Sequence, residues 1–212
     1  MKDIAIYGAG GFGKEVACLI HRINSASPQW NLIGFFDDGK AVGTEISHFG
    51  MVLGSIEDLN SFDKELSVVI AIGDSKIVKS ITDSITNSLI TYPNLIDPST
   101  FFADKLTFKI GEGNIIQRNS SFSCDVTVGN FNIMNGSVSL GHDVCLGNYN
   151  SLMPGTRISG EVKIGDLNFF GVGSIVLQQI KIGNSVKIGA GAVMMTKPKD
   201  ESLYIGNPAR KF

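Results

Sequence analysis

The 212-residue sequence lacks the hallmarks of several protein classes. It has three cysteines, Cys18, Cys124 and Cys145, an odd number without the spacing of a metal site. We therefore expect reduced thiols in a cytoplasmic protein and no bound metal. No apolar run approaches the roughly 20 residues that span a bilayer, and residues 1–8 lack the apolar core of a secretion signal.

Charge is also nearly balanced. The chain has 18 Lys and Arg residues against 20 Asp and Glu residues, which gives a formal net charge of −2. Because nucleic acids and anionic membranes are bound by basic faces, we expect neither of them as a partner. The hydrophobic content of 43% is typical of a globular protein.

The most informative feature that is present is a strict repeat. An apolar residue occupies every sixth position from Ile110 to Met194, 15 times in succession. Neither a helix, with its period of 3.6, nor a flat strand, with its period of 2, explains this pattern. A second repeat of 18 residues consists of Gly111, Gly129, Gly147, Gly165 and Gly183. Six residues per face and 18 per coil predict a parallel β-helix with a triangular cross-section and five coils.

The first part of the chain alternates strand-like and helix-like segments. Strands are predicted at residues 3–7, 32–36 and 68–72, each followed by a helical segment, and residues 39–54 are predicted as a loop. Such alternation implies a small parallel sheet, which is a Rossmann-like half domain. Prolines at 93 and 98 punctuate its end. We therefore predict three parts: an α/β domain at 1–97, a β-helix at 98–196 and a C-terminal tail at 197–212.

A glycine-rich loop follows the first predicted strand. Gly8, Gly10 and Gly13 fit the pattern G-x-G-x-x-G, in which the backbone and a helix N-terminus can approach phosphate. Asp37 and Asp38 end the second strand, where a ribose hydroxyl or a base edge would be read. Because only one mononucleotide half is present, the diphosphate of a nucleotide sugar fits better than NAD. A tight turn that serves packing alone is the alternative.

His142 is the predicted catalytic residue. It lies two positions after the inward Leu140, so its side chain should point outward, and Gly160 follows 18 residues later on the next coil. A base beside an exposed backbone amide suits acyl transfer, with His142 as the general base and the amide as the oxyanion donor. Asp143 would orient the imidazole. Cys124, one coil earlier, offers a less favoured covalent route or is an inert, partly buried thiol.

These residues carry a resemblance that covers nearly the whole chain. The sequence resembles the sugar O-/N-acyltransferases of the sialic acid O-acetyltransferase and nucleotide-amino-sugar N-acetyltransferase type, which are hexapeptide-repeat acyltransferases. The matching segments are residues 6–16, 34–38, 71–74, 141–143 and 206–210. The resemblance implies that the β-helix is left-handed, that the protein is a homotrimer and that acetyl-CoA is the co-substrate.

The resemblance also implies site residues. Gly160 would hold the thioester carbonyl, and the backbone near Val172 and Ala190 would meet the pantetheine arm. The nucleotide sugar would contact Gly8, Gly10, Gly11, Phe12, Gly13, Asp37, Asp38 and Gly73. Basic residues of the tail would meet the CoA phosphates or form a solvated surface: Lys197, Lys199, Arg210 and Lys211. One departure is Ser151, where some amino-sugar members carry a second histidine.

The leading interpretation is acetyl transfer from acetyl-CoA to the amine of a UDP- or dTDP-linked amino sugar in bacterial surface glycan biosynthesis. A sugar hydroxyl, as in sialic acid O-acetylation, is the first alternative acceptor. A catalytically inactive nucleotide-sugar-binding protein is the second alternative, and a nicotinamide enzyme is the third.

Overall fold

The computed structural model describes the whole chain, Met1–Phe212. The chain forms two compact units, Met1–Pro98 and Ser99–Phe212. None of its helices combines the length and the apolar content that crossing a membrane requires.

The first unit contains a parallel sheet with the order β3-β2-β1-β4-β5. Its strands are β1 Lys2–Tyr7, β2 Trp30–Phe36, β3 Val52–Gly54, β4 Leu66–Ile70 and β5 Ile90–Thr91. The expectation of about three strands is thus corrected to five. The two additional strands, β3 and β5, are only three and two residues long, which is too short for a periodic signal. A further short strand, β6 Leu95–Ile96, lies outside this sheet.

One helix follows each of the strands β1, β3 and β4. These helices are α1 Gly11–Ala26, α2 Ile56–Asn60 and α3 Ser75–Ser84. Asp74 is the N-cap of α3 and accepts a hydrogen bond from the Lys76 amide at 2.9 Å. The Ser55 amide donates to the Asp58 carboxylate at 2.8 Å, as a capping box requires. By contrast, Gly10 precedes α1 without any side-chain cap, so the first turn of α1 remains open to an external acceptor.

The second unit is a parallel β-helix of two-residue strands, which start every six positions from Lys109 to Val193. The strands are β7 Phe101–Phe102, β8 Lys109–Ile110, β9 Ile115–Ile116, β10 Ser121–Phe122, β11 Thr127–Val128, β12 Ile133–Met134, β13 Ser139–Leu140, β14 Cys145–Leu146, β15 Ser151–Leu152, β16 Arg157–Ile158, β17 Lys163–Ile164, β18 Phe169–Phe170, β19 Ile175–Val176, β20 Lys181–Ile182, β21 Lys187–Ile188 and β22 Val193–Met194. Two more strands, β23 Leu203–Ile205 and β24 Arg210–Lys211, complete the unit.

Three sheets form the faces of this β-helix. The first face has the order β22-β19-β16-β13-β10-β7 and the second has the order β20-β17-β14-β11-β8. Within this unit the third face has the order β24-β23-β21-β18-β15-β12-β9. Register partners are 18 residues apart, as in the pair Leu140 and Ile158. The predicted inward residues are all buried except Ile110, which is half-buried on the first coil.

The C-terminal segment is more regular than the prediction of a tail suggests. Strand β23 pairs in parallel with β21 and therefore adds a rung to the third face. Strand β24 then turns back and pairs antiparallel with β23. The six-residue repeat does not extend to these residues, so the periodicity could not predict the two strands.

The corner between the second and third faces, here called the Asn corner, is held by side-chain amides. One ladder consists of the fully buried Asn114, Asn132, Asn150 and Asn168. Each side-chain nitrogen after the first donates to the side-chain oxygen of the preceding member at 3.0 Å. The 18-residue repeat of these asparagines is therefore structural.

A second ladder on the Asn corner explains the glycine repeat. Side-chain oxygens of Asn130, Asn148, Asp166 and Asn184 each accept a hydrogen bond from the backbone amide 18 residues earlier, at 2.7 to 2.9 Å. A Cβ at Gly129 would lie 2.6 Å from the Asn148 oxygen. Gly111, Gly147 and Gly165 meet the side-chain oxygens of Asn130, Asp166 and Asn184 in the same way, and Gly183 meets the carboxylate of Asp200. Glycine therefore recurs every 18 residues because the ladder oxygens occupy the space that a side chain would need.

Candidate active site

His142 stands on the corner between β13 and β14, here called the His142 corner. Asp143 turns the chain there with a left-handed φ of 58°. The imidazole Nδ1 lies 2.8 Å from Asp143 Oδ2, and the two side chains are 54% and 58% exposed. Because a carboxylate only accepts hydrogen bonds, a neutral imidazole in this pair carries its proton on Nδ1. Nε2 is then left with a lone pair for a substrate proton.

The other edge of the imidazole lies against Gly160 on the next coil. A Cβ at Gly160 would be 2.7 Å from Cε1 and 2.9 Å from Cδ2 of His142, and closest to Nε2. The absence of a side chain at Gly160 is thus what gives the ring its place. This agrees with the stacking that the 18-residue period predicts.

The Gly160 amide has no acceptor within the chain. The neighbouring Glu161 amide donates to the His142 carbonyl at 2.8 Å, and the Gly160 carbonyl accepts from Gln179 at 3.0 Å, but the Gly160 N–H donates to nothing. At the Asn corner the equivalent amides are bound by a side-chain oxygen from the next coil. At the His142 corner the next-coil residue, Gln178, supplies none. A free amide therefore lies beside a base, which is the arrangement that acyl transfer uses.

Val172 and Ala190 lie on a different corner. Each lies two positions after an inward residue of the third face. Val172 therefore projects from the turn between β18 and β19, Ala190 projects from the turn between β21 and β22, and both are exposed. Their amides also donate no hydrogen bond within the chain. Within one chain, however, a full face separates them from His142. Their contact with the pantetheine arm stays a prediction, and it requires a second copy of the chain.

A column of carboxylates accompanies the imidazole. Asp125, Asp143 and Glu161 occupy the same turn position on successive coils, with left-handed φ angles of 57°, 58° and 61°. Glu161 accepts from the Gln179 side chain at 3.2 Å. Only Asp143 was recognised from the sequence, although the 18-residue spacing of the other two is visible there. The column makes this corner locally acidic and attractive to a cation.

Cys124 stands on the same corner one coil before His142. Its thiol is exposed rather than buried or half-buried, and its nearest polar partner is Ser123 Oγ at 3.9 Å. The expectation of a partly buried thiol is therefore wrong, because outward positions at this corner are not covered within the chain. No hydrogen bond links this thiol to the imidazole.

The glycine-rich loop of the first unit is tightly built at its ends and open in its middle. Gly8 has a φ of +107°, and a Cβ there would lie 2.8 Å from the Ala71 carbonyl oxygen. Gly13 packs against the Gly8 carbonyl, whereas Cβ atoms at Gly10 and Gly11 would meet nothing within 4 Å. The amides of Gly11, Phe12 and Gly13 have no acceptor in the chain. The packing role of the turn is therefore real at Gly8 and Gly13, and it coexists with open amides at the start of α1.

The position of this loop in the sheet is that of a ligand crevice. Strand β1 pairs with β2 on one side and with β4 on the other, so the loops after β1 and β4 leave the sheet at its topological switch point. Ligands of open α/β sheets bind at such points, beyond the carboxyl ends of the strands. Gly73 follows β4 there and is exposed.

Asp37 and Asp38 brace the loop from the end of β2. Asp37 accepts from the Ala9 amide at 2.7 Å, and Asp38 accepts from the Tyr7 hydroxyl at 2.6 Å and from the Ile56 amide at 2.9 Å. Burial, followed by the hydrogen bond to Asp38, raises the pKa of Tyr7 far above its ordinary value, so the phenol stays a donor. No sequence pattern indicates this role of Tyr7. Contact of these aspartates with a ribose stays a prediction.

The basic residues predicted for the CoA phosphates do not all share one element. Arg210 and Lys211 form β24, whereas Lys197 and Lys199 precede β23, and all four are exposed. Ser151, in contrast, is buried. No group of three or more His, Cys, Asp or Glu side chains is placed to hold a metal ion.

Comparison with known proteins agrees with this geometry. Residues 3–85 match the PglD N-terminal domain family. No curated protein matches the chain in sequence. The acetyltransferase domain of PglB from Neisseria gonorrhoeae, solved in complex with acetyl coenzyme A, is 28% identical with a TM-score of 0.87, and the match covers 100% of this chain and 99% of that one.

Two further solved structures are similar over the whole chain. WeeI from Acinetobacter baumannii is 27% identical with a TM-score of 0.88, and both chains are covered completely. PerB from Caulobacter crescentus, in complex with CoA and GDP-perosamine, is 25% identical with a TM-score of 0.82, covering 100% of this chain and 98% of that one. The resemblance and the predicted fold, a Rossmann-like unit followed by a left-handed β-helix, are thereby confirmed.

Proposed function

We propose that this chain, a hexapeptide-repeat sugar acyltransferase in fold and motifs, transfers an acetyl group from acetyl-CoA to the amine of a nucleotide-linked amino sugar. The observation that carries the proposal is the His142 corner. There an imidazole oriented by Asp143 at 2.8 Å lies against a glycine whose amide has no acceptor in the chain. The similar PglB and PerB structures were solved with acetyl coenzyme A and with CoA and GDP-perosamine, respectively.

The proposed mechanism is direct transfer in a ternary complex. The acceptor nitrogen attacks the thioester carbonyl while His142 Nε2 takes a proton from that nitrogen. The Gly160 amide donates to the oxygen of the tetrahedral intermediate. Collapse of the intermediate breaks the carbon–sulfur bond, and the imidazolium returns the proton to the departing sulfur as free CoA thiol. Asp143 stabilises the imidazolium between these two steps.

The acidic surroundings of His142 favour an amine acceptor over a hydroxyl. An amino sugar approaches largely as an ammonium ion near neutral pH and loses that extra proton to water before it attacks as the neutral amine, whereas a sugar hydroxyl approaches uncharged. Asp125, Asp143 and Glu161 stack at the corner without a cation within salt-bridge distance other than the imidazole itself. This column would concentrate a cationic acceptor and would do nothing for a neutral one.

The first unit would bind the nucleotide part of the acceptor. Its support is the open α1 N-terminus after Gly10 at the switch point of the sheet, which suits the phosphate next to the nucleoside. Gly11, Phe12, Gly13 and Gly73 would line this site, and Asp37 or Asp38 would accept from a ribose hydroxyl.

We also propose that the active protein is a cytoplasmic homotrimer. His142 and Asp143 are more than half exposed, and acyl transfer needs a surface that excludes water. A neighbouring copy would supply that surface and would bring its Val172 and Ala190 corner to the acetyl-CoA.

The test is release of CoA thiol from acetyl-CoA with a panel of UDP-, dTDP- and GDP-linked amino sugars. We expect turnover with at least one of them and a fall of about 10² to 10⁴ in kcat for His142→Ala. His48→Ala is the matched control, since His48 is an exposed loop residue of the first unit. Turnover only with hydroxyl acceptors would show that the acceptor group is a hydroxyl and not an amine. Full activity of His142→Ala would refute the mechanism.

A further inference from the structure

An open hollow of about 510 Å³ lies on the second face of the β-helix, next to the His142 corner. Its lining includes Asp143, Glu161, Cys145, Lys163 and Lys181. The volume falls within the range of small-molecule sites. Because Asp143 belongs both to this second-face hollow and to the His142 pair, the hollow is continuous with the candidate active site.

One wall of the hollow consists of two stacked lysines. Lys163 on β17 and Lys181 on β20 are register partners on adjacent parallel strands, and both are exposed. None of the salt bridges of the chain includes Lys163 or Lys181, so neither ammonium is paired with a carboxylate. Like charges directly opposite each other on neighbouring strands destabilise a sheet. An anion placed over this pair would relieve that repulsion.

The other wall carries the opposite charge. Asp125, Asp143 and Glu161 line the side of the hollow that adjoins the His142 corner. A ligand that complements both walls has a cationic group at the corner and an anionic group over the lysines. An amino sugar with its amine near His142 meets the first requirement, and an acidic substituent on the same sugar meets the second.

We propose that the second-face hollow is an acceptor subsite in which Lys163 and Lys181 bind an anionic group carried by the acceptor sugar. The proposal rests on the function proposed above and narrows its substrate class. Two sources share this chemistry: a carboxylate on the sugar ring, and the phosphate on its anomeric carbon.

The phosphates of CoA do not fit this position. Lys163 lies three residues after Gly160 on the same coil, and Lys181 lies one strand spacing, about 4.8 Å, farther along. The thioester would be held at Gly160, and the whole pantetheine arm separates a thioester from the CoA phosphates. The lysines are therefore beside the reacting end of the acyl donor, where the acceptor must be.

Steady-state kinetics test the proposal with the double variant Lys163→Gln, Lys181→Gln. Acceptors are nucleotide-linked amino sugars with and without a ring carboxylate. We expect the KM for the acceptor to rise about tenfold, equivalent to about 1.4 kcal/mol, with the KM for acetyl-CoA unchanged. A rise only for carboxylated acceptors identifies the ring carboxylate, and an equal rise for both identifies the sugar phosphate. An unchanged acceptor KM, or a rise in the KM for acetyl-CoA instead, overturns the proposal.

Lys109→Gln is the matched control. Lys109 is an exposed lysine in the same column of the second face, but its register partner is Thr127 and it lies outside the hollow. Its neutralisation removes one positive charge from the same face and should leave the acceptor KM at the wild-type value. An equal effect of Lys109→Gln would mean that Lys163 and Lys181 act only through the general surface potential, and it would overturn the proposed subsite.

Cys145 reports occupancy of the hollow without any need for turnover. It is exposed, and it is the register partner of Lys163. We expect glucosaminuronic acid or glucosamine 1-phosphate to slow alkylation of Cys145 several-fold more than glucosamine does, with Cys18 on α1 as the internal reference. The double lysine variant should lose this protection. Equal protection by glucosamine, or a Cys145 that does not react in the free protein, overturns the proposal even if no acetyl transfer is found.

Discussion

The two kinds of corner in the β-helix suggest a substitution that should block catalysis without touching His142. At the Asn corner, the Asn130 amide donates to the side-chain oxygen of Asn148, 18 residues later, at 2.9 Å. The Gly160 amide occupies the same hexad position, and its counterpart 18 residues later is Gln178. Placing asparagine at residue 178 would bring a side-chain oxygen to the proposed oxyanion donor.

The Asn corner also shows what else such a graft needs. Each ladder oxygen fits only because the residue before the donor amide in the coil below is glycine, as Gly129 is below Asn148. At the His142 corner that residue is Ser159, whose Cβ would obstruct the oxygen. The full graft is therefore Ser159→Gly with Gln178→Asn, and either substitution alone is its control.

The expected loss follows from removing one oxyanion donor, which costs about 10² to 10³ in kcat, or roughly 2.7 to 4 kcal/mol. The assay is CoA thiol release under saturating substrates. Each single variant should keep kcat within a few-fold of the wild type. The double variant should fold normally, because it gains the hydrogen bond that every step of the Asn ladder already makes.

Hydrogen exchange completes the test. The Gly160 amide should exchange freely in the wild type and become protected in the double variant. If that amide becomes protected while kcat is retained, the Gly160 N–H does not stabilise the transition state and the proposed mechanism is wrong.

Three further outcomes are expected. Gly160→Ala should lower kcat about 10²-fold, because the new Cβ would overlap the imidazole of His142 and a displacement of a catalytic group by about 1 Å has an effect of that size. Gly136→Ala is the control and should leave kcat unchanged, because a Cβ at this equivalent hexad position would have contacts of 3.6 Å or more. Asp143→Asn should lower kcat roughly fivefold at constant stability, since an exposed charge pair contributes up to about 1 kcal/mol and asparagine tolerates the left-handed φ. Because the pKa of Tyr7 is raised in the folded state, its stabilising contribution is complete at pH values below the unfolded-state pKa of about 10 and decreases progressively above that pH. Above pH 10, the thermal midpoint of Tyr7→Phe should therefore fall less steeply with increasing pH than that of the wild type.

Periodicity predicts the β-helix well because a single physical requirement, one inward apolar side chain per face, recurs at every hexad. The outward position of His142 and its stacking on Gly160 follow by counting from Leu140. The same counting places Val172 twelve residues after Gly160, and therefore on another corner, a full face away within one chain. The resemblance to the family supplied Val172 and Ala190 without this distinction.

Other features could not be predicted because they depend on contacts between distant segments. Strands β3 and β5 exist because longer neighbours pair with them, not because of their own patterns. The hydrogen bonds of Asp37 and Asp38 to Ala9 and Tyr7 join residues about 30 positions apart. A pair of aspartates at a strand end looks the same in the sequence whether it braces a loop or binds a ribose.

The contrast between the corners indicates how much of the catalytic arrangement belongs to the fold itself. A coil that turns through a left-handed residue leaves the preceding amide pointing away from the ladder, and at the Asn corner the protein satisfies that amide with asparagine or aspartate. At the His142 corner it omits the acceptor and adds a histidine and a carboxylate. The proposed oxyanion donor is thus an ordinary corner amide left unpaired, held by a hydrogen-bonded scaffold rather than by a mobile loop. Such an arrangement depends on few residues, because the hexad itself preserves the amide and only two or three side chains must be retained beside it.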